Sequence, residues 1–364
     1  MTSILNRAKQ IKILVHAPNW LGDHVMAFPF YYALNEIFQN ARIDLLGRNW
    51  VSSLLPYEVF SNVYSISGKM NVSEDFMKIK AEKYDIGISL SPSFRSIFLL
   101  KKAQTKYRVG YKTDFRSFLL KLPKPHGGRR IPSYNCYEHR ALSYIRLLTP
   151  WFDNSKTAED YFVSSTRQII AKAALAKKSE KNNFLKRYNL KPFKYRVICP
   201  GSVALSKIYP IQYLIVIIEK IIEKNPKDTI VLAGTAIEKP YAKKIIESVE
   251  KKYKSQILDL TEKTSLVDLL FVLKNSKAAI ANDSGVAHLT FLTETPLLTF
   301  LGMARKEETL MLNKKKIVLN KNLSCSPCMK QKCPKRKEYL KCLKSISPEE
   351  AFESLERLEK RYLT

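Results

Sequence analysis

Short apolar runs of strand length alternate with helical stretches twice along this chain, and that rhythm leaves few folds open. Ile11–His16, Arg42–Gly47 and Tyr84–Leu90 make the first series. Tyr195–Cys199, Asp228–Ala233, Gln256–Leu260, Ala278–Ala281 and Leu297–Leu301 make the second, with helix-like Ile211–Lys224, Tyr241–Lys252 and Leu266–Lys274 between them. Such alternation predicts mostly parallel sheets covered on both faces by helices, an α/β class. Ser164–Leu190, rich in Lys and Ala, reads as a helical connection, so two domains are expected, 1–165 and 166–345. A last segment, 346–364, opens with the capping box Ser347-Pro348-Glu349-Glu350 and carries Phe352, Leu355, Leu358 and Tyr362 on one helical face, which must dock on something.

Two junctions stand out. The run Ala278–Ala281 stops at Asn282-Asp283-Ser284-Gly285, and a helical stretch from Val286 to Leu292 follows at once. Amides in the first turn of a helix lack intrahelical partners and the macrodipole is positive there, so this turn suits a phosphate. A cap by Asp283 or Ser284, with His288 simply packed, is an equally sound reading of these residues alone. The other junction follows Ile11–His16, where Ala17–Asp23 leads into a helical stretch from His24 to Phe38. In an open α/β sheet the ligand lies beyond the carboxyl ends of the strands, which places Asp23 and the Ser91–Arg95 loop there. Gly22 stands alone, so a dinucleotide site of the G-x-G-x-x-G type is unsupported.

Composition narrows the partners. In 364 residues, 45% hydrophobic and 11% aromatic, disorder is excluded and two cores are affordable. Sixty-two Lys and Arg against thirty-three Asp and Glu leave +29, which points to nucleic acid, acidic lipid or a phosphorylated glycan. Residues 94–130 hold eleven Lys and Arg and one acid, Asp114, interleaved with aromatics; a solvated helix face over core aromatics explains them as well as an acceptor-facing surface does. Arg95 and Arg116 are the acceptor candidates, because a guanidinium fork suits phosphate and carboxylate. No apolar run reaches the ~18 to 20 residues of a membrane span, and Met1–Gln10 lacks signal-peptide character, so a cytoplasmic chain is expected. Cys136 and Cys199 are isolated; Cys325, Cys328, Cys333 and Cys342 follow C-x2-C-x4-C-x8-C, which could take a structural zinc ion although the second pair lacks a knuckle. Residues 314–344 are basic as well.

Four stretches in this order resemble the ADP-heptose:lipopolysaccharide heptosyltransferases of glycosyltransferase family 9, more closely the heptosyltransferase II branch. They are Pro18–Asp23; Pro200-Gly201-Ser202 with Lys207-Ile208-Tyr209-Pro210; Asn282–His288; and the cysteine tail. The resemblance implies a GT-B fold, two Rossmann-like βα domains facing across a cleft, with the C-terminal helix crossing back to the N-terminal domain. It implies inverting transfer from ADP-heptose, held mainly by the second domain, to a lipopolysaccharide core or lipid A precursor acceptor, held mainly by the first. Asp23 matches the general base and Lys207 the lysine that contacts the donor diphosphate. Asn19, Trp20, Gly22, Ser202, Glu238, Asp283, Ser284, Gly285, Val286 and His288 fall to donor binding. No cofactor or metal is implied for the chemistry, and the expected place is the anionic inner face of the inner membrane. Departures are Tyr209 where the family more often has Trp, a Val203–Ser206 loop without Gly, and the spacing of Glu238 from Gly234. Rival readings are a family member with another acceptor or nucleotide sugar, a nucleic-acid-binding protein, which explains the charge and none of the motifs, and an inactive scaffold, against which intact Asp23 and Lys207 speak.

Overall fold

The computed structural model describes residues 10–56, 58–65, 74–113, 115–122, 131–175 and 183–363. The chain divides into two compact units between Lys172 and Ala173. The first holds β1 (Lys12–His16), α1 (Leu21–Met26), α2 (Phe28–Ile37), β2 (Arg42–Gly47), β3 (Asn62–Ser65), α3 (Glu74–Ala81), β4 (Ile86–Ser89), α4 (Phe94–Lys102), β5 (Tyr107–Val109) and α5 (Arg140–Arg146). Its sheet is parallel, in the order β3-β2-β1-β4-β5. Helix α6 (Ala158–Leu175) runs across the division, so the boundary expected near residue 165 falls inside a helix.

The second unit continues with α7 (Asn183–Arg187), β6 (Tyr195–Cys199), α8 (Ile211–Lys224), β7 (Thr229–Leu232), α9 (Lys239–Ser248), β8 (Ile257–Asp259), α10 (Leu266–Lys274), β9 (Ala279–Asn282), α11 (Gly285–Thr293) and β10 (Leu297–Leu301). After these come α12 (Lys306–Thr309), β11 (Lys316–Asn320), α13 (Lys341–Lys344) and α14 (Pro348–Leu363). Six parallel strands lie in the order β11-β10-β9-β6-β7-β8.

Central strands of such a sheet are covered on both faces and so are apolar at nearly every position. Ile13, Leu14 and Val15 of β1 and Val197 and Ile198 of β6 are fully buried, and these are the runs that announce themselves in the sequence. Three strands give no such signal: β3, β5 and β11, each at an edge of its sheet. An edge strand has a side open to solvent and tolerates polar residues, here Asn62, Arg108 and Lys316. The helix expected from His24 to Phe38 is broken at Ala27, because Pro29 in the first turn of α2 cannot donate a backbone hydrogen bond to the turn before it.

The last helix packs on α8, β10 and β11 of the second unit. Ala351, Leu355 and Leu358 enter the second unit's core, with Phe352 and Tyr362 packed against it. Arg196 on β6, itself buried, fixes the register by forking onto both carboxylate oxygens of Glu359, at 2.5 and 2.7 Å, while a third nitrogen donates to Asp228 at 2.8 Å. The Ser347 hydroxyl accepts from the Glu350 amide at 3.1 Å, so the helix starts at the cap expected for it.

Two buried histidines make the first unit acid-sensitive. His24 in α1 lies between a backbone carbonyl, Leu54 O at 2.9 Å, and the Tyr31 hydroxyl at 3.1 Å; His16 closes β1. Burial lowers both from about 6.5 to about 4, with nearby Arg116 and Arg95 adding to the effect at His16. As pH falls below 6.5 the unfolded chain binds protons that the folded chain refuses, so stability drops progressively down to about pH 4 and is unaffected by these groups above about pH 7. Each histidine accounts for about 3 kcal/mol at the acid end of that window. Melting followed by circular dichroism should show a midpoint that falls from about pH 7 to about pH 5, and His24→Gln should flatten that fall.

Candidate active site

In the first sheet the strand order reverses between β1 and β4, so the loops leaving their carboxyl ends diverge at that point. The loop after β1 carries Asn19 and ends at Trp20, the N-cap of α1, which places Gly22 and Asp23 in the helix's first turn. Trp20 is 56% exposed, and no side chain caps the helix from that position. The Asp23 carboxylate, 22% exposed, faces Arg140 at the start of α5, with Oδ1 3.7 Å from the guanidinium. Arg140 lies 117 positions away in sequence and had no motif to mark it. Its charge beside Tyr144 and Asp23 holds the carboxylate in one place without covering it.

The second sheet reverses between β6 and β9, and the donor candidates converge there. Asn282, the last residue of β9, is the staple. Its carbonyl oxygen accepts from the Tyr209 amide at 2.9 Å, and its amide donates to the carbonyls of Pro200 at 2.8 Å and Gly201 at 3.2 Å. These three bonds bring the whole 200–209 loop against the start of α11. Lys207, in a short turn of 3-10 helix, then sits 2.7 Å from the Asp283 carboxylate. Tyr209 stacks flat on Phe300, ring centroids 3.8 Å apart, and donates to the Ile346 carbonyl, so the aromatic before Pro210 is a core anchor.

No side chain caps α11: Ser284 holds extended backbone at the N-cap and makes no cap hydrogen bond. The turn formed by Ser284, Gly285 and Val286 is half-exposed, while His288, one turn along, is buried. Glu238 lies across the ends of β6 and β7 and accepts from the amide and hydroxyl of Thr235, each at 2.7 Å. It passes so near the backbone that a Cβ on Gly201 would come 2.8 Å from its side chain and one on Gly234 2.4 Å. Both positions must be glycine while Glu238 stays, and Ser202 is buried beside them. A carboxylate, a lysine and an uncapped helix terminus therefore gather at one sheet end, the set of groups that a nucleoside diphosphate needs.

Residues 76–338 match the model of glycosyltransferase family 9 (heptosyltransferase). The chain belongs to glycosyltransferase family 9. This family 9 enzyme is 25% identical over 355 residues to the lipooligosaccharide heptosyltransferase 2 of Haemophilus influenzae, covering 96% of this chain and 99% of that one. Its fold matches the structure of E. coli ADP-heptose lipopolysaccharide heptosyltransferase II with TM-score 0.73 at 19% identity, over 97% of this chain and all of the other. It also matches an E. coli heptosyltransferase with ADP-2-deoxy-2-fluoro heptose, with TM-score 0.65 at 14% identity, over 95% and 99%. Both are GT-B structures, and the two parallel sheets here are of that α/β type.

One expectation about this transferase changes on inspection of the side chains. Arg116, expected at the acceptor, is 1% exposed. Its guanidinium donates to the carbonyls of Ser91 at 2.6 Å, Tyr111 at 2.8 Å and Ser93 at 3.3 Å, so it positions the loop after β4 from below. Arg95 is exposed on the first turn of α4, held by that same loop. The tail cysteines are free thiols, and among the described residues no three His, Cys, Asp or Glu form a group able to hold a metal ion. The tail braces the Lys207 loop: buried Ser206 donates from its amide to the Gln331 carbonyl at 3.1 Å and from its hydroxyl to Lys330, and the Met329 amide bonds Met303 at 2.9 Å. No motif marked Ser206. A buried serine in a loop leaves no pattern in sequence.

Proposed function

We propose that this chain is an inverting heptosyltransferase that moves L-glycero-D-manno-heptose from ADP-heptose to the inner core of lipopolysaccharide. The observation that carries this reading is Lys207 set against Asp283 at the uncapped start of α11. That is a site for a leaving diphosphate, and relatives over nearly the whole chain are named heptosyltransferase 2. The bound ADP-2-deoxy-2-fluoro heptose of the E. coli neighbour supports the choice of donor.

The work divides between the two units. In the second, Lys207 and the amides of Ser284, Gly285 and Val286 hold the diphosphate, Asp283 and Glu238 take sugar hydroxyls, and Ser202 and His288 shape the pocket floor. In the first, Asn19, Trp20 and Gly22 form the turn that presents Asp23, and Arg95 receives the acceptor's anionic groups. Asp23 takes the proton from the acceptor hydroxyl as its oxygen attacks the anomeric carbon; the bond from that carbon to the β-phosphate oxygen breaks and ADP departs. A carboxylate is a weak base, so the rate comes largely from placement, which the Arg140 ion pair secures. Charge growing on ADP falls to Lys207, which is released from sharing with Asp283 as the phosphate takes its place, and no cofactor is needed. No described helix is long and apolar enough to cross a membrane, and the charge of +29 suits a peripheral position at an anionic inner leaflet.

Mass spectrometry of a heptose-deficient core incubated with the protein and ADP-heptose, in parallel with other nucleotide sugars, tests the reading. A gain of one heptose is expected from ADP-heptose alone, on a Kdo-terminated or heptose-terminated core. A gain from a different donor overturns the substrate and keeps the fold. Lys207→Ala should weaken donor binding and cut turnover together, by about 10- to 100-fold in kcat/KM.

A further inference from the structure

Three aromatic rings on the first unit, Phe94, Phe115 and Phe118, stand exposed beside a fourth, Phe98, that is half-buried against the core. Phe94 and Phe98 on α4 lie with ring centroids 5.9 Å apart, and Phe118 leans on Phe94 at 6.1 Å. Phe118 is 74% exposed and Phe115, three residues before it, 95%. The segment that bears them is firmly held: buried Arg116 ties it to the carbonyls beneath, and buried Leu119 belongs to the core. Phe115 sits at φ +53, a left-handed backbone that a bulky side chain adopts at a cost. Among the described residues nothing repays it, since the ring is left to solvent. Along 115–119, Arg116 and Leu119 turn inward while Phe115, Ser117 and Phe118 stay exposed, so the fold holds these rings out.

Around them stand exposed lysines. Phe94, Phe98 and Lys102 occupy one stripe of α4 at four-residue spacing, with the Lys102 ammonium 5.2 Å from the Phe98 ring. Lys101, Lys106, Lys112 and Lys121 are also exposed, and no carboxylate among the described residues pairs with any of these five. Exposed rings rimmed by lysines suit a bilayer: aromatics settle at the boundary of headgroup and acyl chain while lysines, on longer stems, stay with the phosphates. Charge complementarity sets the sign, because cytoplasmic leaflets are anionic.

We infer that the face built by Phe94, Phe98, Phe115 and Phe118, with its lysine rim, is the surface on which this protein docks to an anionic phospholipid bilayer, Phe115 and Phe118 entering the interface. This rests on the proposed function only in that a lipid-anchored acceptor makes docking useful; the docking itself is measured without any acceptor.

The test is cosedimentation of the full chain with vesicles of phosphatidylcholine alone and of phosphatidylethanolamine with phosphatidylglycerol. Wild type should pellet with the anionic vesicles and much less with the neutral ones. Phe115→Ser with Phe118→Ser should lower the partition coefficient about 100-fold, at unchanged melting temperature, since both rings are exposed in the fold. Lys101→Glu with Lys102→Glu and Lys121→Glu should remove the preference for anionic lipid. Phe115→Trp should show a blue shift and quenching by brominated acyl chains on binding. Variants that pellet as wild type would overturn the inference. So would loss of self-association in sedimentation velocity on removing the rings, which would make the patch a contact between copies. Thermal stabilisation by ADP-heptose, measured on the same samples, reports separately on the donor site, so failure there leaves the docking result standing and the reverse holds too.

Discussion

Asp23→Asn should lower kcat for heptosyl transfer about a thousandfold while leaving ADP-heptose binding nearly unchanged. The substitution keeps the shape of a side chain that is 22% exposed and removes only its basicity and its ion pair with Arg140. The donor groups of the second unit are untouched, so thermal stabilisation by ADP-heptose should match wild type. Arg140→Met tests the positioning role beside it. It leaves the base in place but loose, so turnover should fall less than for Asp23→Asn, and restoring a cation with Arg140→Lys should recover part of the loss because the charge returns without the fork. Retention of more than about a tenth of wild-type turnover by Asp23→Asn would remove Asp23 from the role of base.

Arg116→Met should destabilise the first unit by about 2 to 3 kcal/mol. The side chain is 1% exposed, and its loss removes buried charge-assisted bonds to the carbonyls of Ser91 and Tyr111 at 2.6 and 2.8 Å, leaving the first with the hydroxyls of Ser89 and Ser96 and the second with the Thr113 amide. Gly110 lies against the guanidinium, so a Cβ there would come 3.2 Å from Arg116, and little free space remains for water to enter. Denaturant unfolding measures the loss directly. An arginine that bound acceptor would behave oppositely, raising KM for the acceptor with little change in stability. Since Arg116 also pins the base of the Phe115 loop, its removal should loosen vesicle binding only in proportion to unfolding.

The buried strands and the chemistry-bearing turns were legible in the chain itself. β1, β6, β7, β9 and β10 are apolar at almost every position because both their faces are covered, and a residue that must avoid water on every side leaves an unmistakable mark in sequence. The strand-to-helix junctions at 17–23 and 282–285 were legible for another reason: a polar turn there interrupts two apolar patterns of different period, whereas Asp23 and Lys207 were singled out by the family resemblance. Edge strands β3, β5 and β11 were not, because solvent on one side relaxes the demand for apolar residues.

Partnership over long sequence separation was decided by tertiary structure alone. Arg140 reaches Asp23 because α5 lies beside α1 and α2; Asn282 staples Pro200 because β6 and β9 are neighbours at the point where the sheet reverses. Arg116 shows the limit most plainly. As a residue type it suits a phosphate, and in a basic stretch it looked like an acceptor contact, yet the fold closes over it and gives its donors to backbone carbonyls. The last helix teaches the same lesson. Its apolar face was legible from spacing, but which surface it covers was settled by Arg196, 163 residues before its partner Glu359. A side chain's chemistry is written locally; whether that chemistry meets solvent, substrate or its own backbone depends on what packs against it, and that is a property of the whole fold.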